Sequence, residues 1–177
     1  MNEPEPFKYD RRTILLHWST MALVVALWVL GQLIGEFAEG TPRETARSIH
    51  ITLGLVLVVV YVARMAWRMS SGLRNPRPDP GLAGSAARWA HFGLYLLLGI
   101  VLALGLVLEW MRGDSVFGLF RITQFDKPIQ DLSDQVMDVH GALADVLLIL
   151  AGLHVAGALA HHFLLRDGVL RRMLPRR

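Results

Sequence analysis

Seven histidines are the residues in this chain with the most chemistry to offer, and there are no cysteines. Four of the seven, His140, His154, His161 and His162, fall in one largely apolar stretch, DVHGALADVLLILAGLHVAGALAHH. An imidazole placed deep in an apolar run is costly unless it has a partner or a job. His154 is the clearest case, because it lies well inside the run. Imidazole nitrogens bind transition metals and exchange protons near neutral pH. With no thiolate available, iron–sulfur clusters, thiolate metal sites and thioether-linked haem are excluded.

The elements that carry these histidines are four long apolar segments, residues 14–34, 49–69, 89–108 and 139–165. Each is long enough at about 1.5 Å per residue to cross a hydrocarbon core of about 30 Å. LVLVVVYVA and LYLLLGIVLALGLVL lack the polar stripe of a soluble bundle helix. The expectation is an all-α integral membrane protein: one domain over residues 1–177, folded as a four-helix up-down-up-down bundle. The first segment is too long for a secretory signal peptide and lacks a clean cleavage site. The loop SSGLRNPRPDPGLAGS, rich in Pro and Gly, must turn the chain between the second and third segments.

The 18 Lys and Arg residues divide unevenly between the two sides. Lys8, Arg11, Arg12, Arg64, Arg68, Arg74, Arg77, Arg88, Arg166, Arg171, Arg172, Arg176 and Arg177 share one side. Arg43, Arg47, Arg112, Arg121 and Lys127 share the other. The positive-inside rule puts both termini in the cytoplasm. The basic ending RRMLPRR then reads as an anchor to anionic lipid, and nucleic acid is not an expected partner.

Within this frame the histidines fall at two depths. His50 and His140 stand at the outer level. His17, His91 and His154 stand at the inner level, with His161 and His162 below them. His140 and His154 are fourteen residues apart, so about 21 Å in depth and within about 40° of one helical face. His161 continues that face. A histidine at the end of a span is ordinarily an interfacial residue, but matched levels on several spans are what two stacked haems with paired axial imidazoles require. Divalent-cation transport is the poorer reading, since Asp145 is the one acid well within a span and lies on another face. Gly31, Gly35, Gly54, Gly99, Gly105, Gly141, Gly152 and Gly157 sit in or at the spans, where helices or a flat cofactor can approach closely.

The segments YDRRTILLHW, RSIHITLG and ALAHHFLLRDGVLRRMLPRR resemble those of the bacterial cytochrome b561 family, and the resemblance runs from Tyr9 to the end of the chain. The last of them is most similar to the branch that oxidises superoxide. The resemblance implies two haem b groups in a bacterial inner membrane. It assigns His17 and His154 to the inner haem and His50 and His140 to the outer one. His91 is left as a rival inner ligand, read as a haem neighbour or propionate contact.

Haems with both axial positions filled should pass single electrons rather than bind oxygen. The expected reaction is superoxide oxidation at the periplasmic face with ubiquinone as acceptor. The alternative is a haem electron carrier serving a protein partner such as a dehydrogenase or hydrogenase, docked on the loop 109–137. Quinone chemistry needs a proton-exchanging group, for which His161 is the first candidate and His162 the second. Trp18 could stack on a quinone or haem ring. Arg64 and Arg88 are candidates for haem propionates. Arg43, Arg47, Arg112, Arg121 and Lys127 are candidates for attracting the superoxide anion, although acids share the same loops.

Overall fold

The computed structural model describes residues 9–71, 81–113, 115–117, 120–121 and 130–174. Four helices dominate it: α1 (Arg11–Leu33), α2 (Thr41–Ser71), α3 (Leu82–Arg112) and α4 (Gln130–Ala160). Four candidate spans follow, Arg11–Glu36, Thr41–Ser70, Gly84–Arg112 and Asp131–Leu165. Large apolar side chains point outward along them, including Leu15, Val59, Ile149, Leu153 and Leu164. Water would not tolerate that surface, and a bilayer requires it.

The helices outrun the apolar segments that announce them. α2 begins at Thr41, eight residues before Ile49, and α4 begins at Gln130, nine before Val139. The connection between the first two apolar segments is therefore shorter than their ends suggest, a 3₁₀ turn at Ile34–Glu36 and a few residues more. Arg43 staples that turn. Its Nε and Nη2 donate to the Phe37 carbonyl, and Nη2 also donates to the Gly35 carbonyl at 3.2 Å. The same guanidinium pairs with Glu39 at 3.4 Å.

α1 starts where Asp10 accepts bonds from the backbone N–H groups of Arg12 and Thr13 and from the Thr13 hydroxyl. Such a cap contributes about 1 kcal/mol. α3 stops at Gly113, whose left-handed φ of 61° lets its N–H return to the Glu109 carbonyl. Beyond it a two-residue antiparallel ladder pairs Ser115 with Arg121 and Val116 with Phe120. The Phe117 N–H, from the same turn, donates to the buried Ser48 hydroxyl on α2 at 3.1 Å.

α4 ends in a π-helical turn, His161–Leu165, then a left-handed Arg166 and a 3₁₀ turn at Leu170–Met173. This tail folds back on the start of α1. Trp18 Nε1 donates to the Met173 carbonyl at 2.8 Å, and Tyr9 N–H to the Arg172 carbonyl at 3.3 Å.

Packing is closest within the hairpins α1/α2 and α3/α4, and looser between them. Midway down the bundle Leu27, Leu57, Leu98 and Leu147 meet, one from each helix, all buried. Leu147 stands seven residues from both His140 and His154. The leucine layer thus separates an upper level, containing His50 and His140, from a lower level containing His17, His91 and His154.

Candidate functional site: two layers of facing histidines

At the upper level α2 and α4 bring His50 and His140 together, with ring centroids 6.5 Å apart. Each imidazole lies against a glycine on the adjoining helix. A Cβ added to Gly31 of α1 would stand 3.4 Å from Cε1 of His50, and one added to Gly105 of α3 would stand 3.4 Å from Cε1 of His140. The Leu27 carbonyl, one turn before Gly31, lies beside His50, and the Val101 carbonyl, one turn before Gly105, beside His140. Neither Nδ1 completes a hydrogen bond, although both are buried. The two halves of the level are therefore built alike: an imidazole leaning on bare helix backbone, with a carbonyl of that helix nearby.

A cavity of about 610 Å³ surrounds this pair. Its floor includes the leucine layer, and Arg47, Glu109, Arg112 and Asp138 line it toward the helix ends. Two of the five basic residues expected near the upper pair, Arg47 and Arg112, do line it. Arg112 also pairs with Asp134 at 3.4 Å. Arg43 is engaged by the turn it staples. Arg121 lies in the short ladder with its side chain outside the described set, and Lys127 lies outside the described residues.

At the lower level His17 of α1 and His154 of α4 stand 6.3 Å apart, nearly the spacing of the upper pair. His91 of α3 is closer still to His154, at 5.0 Å, while its Nδ1 bonds to the Ala87 carbonyl. Arg64 of α2 donates to Nδ1 of His17 at 2.9 Å, and its guanidinium lies over the Tyr95 ring. Arg64 thus joins the lower level, but Arg88 does not. It is exposed, and its guanidinium turns back to the Ser85 hydroxyl one turn away.

Below this level, the Trp18 ring meets His17 edge-on at 5.6 Å. Nδ1 of His161 contacts the Asp167 carboxylate, and His162 stacks edge-on with Phe163. The π turn begins at His161, so the regular helical phase that links His140 to His154 does not continue past it. Asp167 lies beyond the span, and the bond from His161 holds its carboxyl below the ordinary carboxylate range, helped by the Val169 N–H. Gly99 serves helix packing rather than the histidines. Its missing side chain admits the Tyr61 hydroxyl, which donates to the Tyr95 carbonyl.

The family model for prokaryotic cytochrome b561 matches residues 8–176. This chain belongs to the prokaryotic cytochrome b561 family. It is similar to the probable superoxide oxidase CybB of Yersinia pestis, at 30% identity over 96% of this chain and 97% of that one. It is similar also to cytochrome b561 homolog 1 of Escherichia coli K12, at 28% identity over 96% and 98%. Cytochrome b562 of Cereibacter sphaeroides matches at 25% identity over 94% of both chains. As a cytochrome b561 the chain is a membrane haem electron carrier, and its helices imply a multi-pass bacterial membrane protein.

The residues present fit a b-type haem. Two metal–nitrogen bonds of roughly 2 Å each would set facing ring nitrogens about 4 Å apart, and the centroid spacings of 6.5 and 6.3 Å accommodate that. Metal-ligating histidines ordinarily donate their second nitrogen to a carbonyl. His50 and His140 each have a buried Nδ1 and a backbone carbonyl nearby that could take that role. Both pairs bridge the two hairpins, so a flat group held at either level would be sandwiched between them.

Proposed function

We propose that this cytochrome b561 binds two haem b groups, oxidises superoxide at the periplasmic face and passes the electrons to ubiquinone. The observation that carries the reading is the recurrence of one histidine spacing at two levels, 6.5 Å and 6.3 Å, on opposite sides of a leucine layer. His50 and His140 would hold the upper haem, His17 and His154 the lower. The uneven division of Lys and Arg supports placing the upper level outside, with both termini in the cytoplasm of a bacterium bounded by this inner membrane. Haem b, held by these histidines, would supply reversible one-electron transfer.

The chain's own side chains divide the remaining work. Arg47 and Arg112 line the upper cavity and would draw an anion toward it. Arg121 and Lys127 are proposed to add to that field from the loop. His91 and Arg64, close to the lower pair, would contact the haem edge or its propionates. His161 would exchange protons with the quinone: with Nδ1 held by Asp167, its Nε2 is the nitrogen left for transfer. Trp18, beside His17 and tied to the tail, would form a wall for the ring, and His162 lies next in sequence as the second proton donor.

Purified protein should contain two haems that are reduced by a superoxide source, and superoxide dismutase should abolish that reduction. Reduction that persists unchanged with the dismutase present would sink the superoxide reading. The electron-carrier reading, in which a dehydrogenase or hydrogenase docks on the outer loop, would then stand.

A further inference from the structure

One polar cluster within the membrane borders the upper histidine level but faces the seam between α1 and α4. Asp145 of α4 lies five residues past His140, about 7.5 Å deeper, yet its carboxylate turns to α1. Trp28 Nε1 donates to Oδ1 at 2.7 Å, and Gln32 Nε2 donates to the same oxygen at 3.2 Å. Both donors converge on Oδ1, which leaves Oδ2 for a further donor. Asp145 and Gln32 are exposed on the bundle surface and Trp28 is half-buried, at a depth where the surroundings are hydrocarbon.

A cleft of about 440 Å³ opens at this seam, walled by Trp28, Leu148 and Ile149 around the Asp145 and Gln32 groups. That is within the range of pockets that take a small molecule. Trp28, Gln32 and Asp145 also line the cavity around His50 and His140. These three residues therefore stand between the lipid-facing cleft and the upper histidine level.

A carboxylate facing lipid is expensive unless a donor covers it. A molecule that reaches it through hydrocarbon must itself be lipid-soluble, must offer an O–H to Oδ2, and should be flat enough to lie on an indole. We propose that the α1–α4 seam binds a lipid-soluble hydroquinone, one hydroxyl donating to Asp145 and the ring lying against Trp28. The site is separate from the quinone contact placed near His161, and it does not depend on superoxide being the donor.

The test is anaerobic calorimetric binding of tetramethylhydroquinone and of its dimethyl ether to the purified, haem-loaded protein. The diol should bind at least tenfold more tightly than the ether, a comparison that needs no variant. Asp145→Asn, whose side-chain oxygen can still accept from Trp28, should weaken the diol at least tenfold and leave the ether unchanged. Equal binding of the two compounds, or a diol affinity indifferent to Asp145→Asn, overturns the proposal. So does light scattering that finds a dimer for the parent protein and a monomer for Asp145→Asn, because a second copy of the chain would then cover the seam. Haem content and superoxide-driven reduction are measured separately and decide only the reading of the histidine levels.

Discussion

Gly105 on α3 and His140 on α4 touch at the limit of ordinary contact: a Cβ on the glycine would stand 3.4 Å from the imidazole Cε1. Gly31 and His50 repeat this relationship on the other side of the level. An alanine at either glycine just touches the ring, whereas a branched side chain overlaps it and turns it away. Gly31→Ala and Gly105→Ala should retain both haems, and Gly31→Val or Gly105→Val should lose about half of the haem. A haem-to-protein ratio by the pyridine haemochrome method checks the series, and a Val variant with full haem would contradict it.

The levels should fail separately. His50→Ala or His140→Ala should remove the upper haem and spare the lower, because the leucine layer packs without either ring. His17→Ala or His154→Ala should do the reverse. His91→Ala should keep both haems, because His17 and His154 repeat the 6.5 Å spacing of the upper pair at 6.3 Å, whereas His91 stands only 5.0 Å from His154. Reduced-minus-oxidised spectra with haem quantitation distinguish the cases. Haem loss in His91→Ala together with retention in His17→Ala would move the lower ligand to α3.

Arg64 should set the potential of the lower haem. An arginine can only donate, so its bond to His17 requires Nδ1 to be the acceptor. If Nε2 holds iron, Nδ1 carries the proton and Arg64 must turn elsewhere, remaining near as a positive charge. Arg64→Gln removes that charge and should lower the potential of the lower haem by tens of millivolts, where about 59 mV corresponds to tenfold in the equilibrium. A redox titration in which the lower haem keeps its potential would refute the assignment.

The contact between His161 and Asp167 should make the tail acid-sensitive. The Asp167 carboxyl is held below its ordinary range by His161 and by the Val169 N–H. A carboxyl with a depressed folded value stabilises the fold above the unfolded value of about 3.9 and ceases to do so as pH falls through the lower, folded value. Asp10, whose burial is outweighed by its bonds to Thr13, Trp67 and Arg12, has the same sign. Hydrogen exchange over residues 166–174 should therefore rise below the carboxylate range, and Asp167→Asn should show the faster exchange already at neutral pH. Equal protection in the variant and the parent would refute the tie.

Much of this arrangement is legible in the residues themselves. The apolar runs announce four spans because lipid demands continuous apolar length, and the fourteen-residue spacing of His140 and His154 fixes two depths because an α-helix advances evenly. Other features depend on how helices face each other, which periodicity along one segment does not encode. Hence Gly31 and Gly105 stood out only as two small residues among eight. Asp145 read as an isolated acid, though Trp28 and Gln32 meet it from more than a hundred residues away. The early start of α2 was visible in Thr41-Pro42, since proline favours the first turn of a helix. Arg43 looked available to an anion because nothing local reveals that the Gly35 and Phe37 carbonyls turn toward it. The π turn at His161 carried no local signal.

Four leucines at the waist of the bundle have an electrical consequence. Leu27, Leu57, Leu98 and Leu147 fill the space between the histidine levels with side chains that neither carry nor relay a proton. An electron can tunnel through such a layer, but the four leucines themselves offer a proton neither donor nor acceptor. Charge crossing the waist would thus go uncompensated within the protein and work with or against the membrane potential, up to about 2.3 kcal/mol for each 100 mV if the full field were crossed. In a sealed vesicle the molecule would act as a generator, and its turnover would respond to voltage.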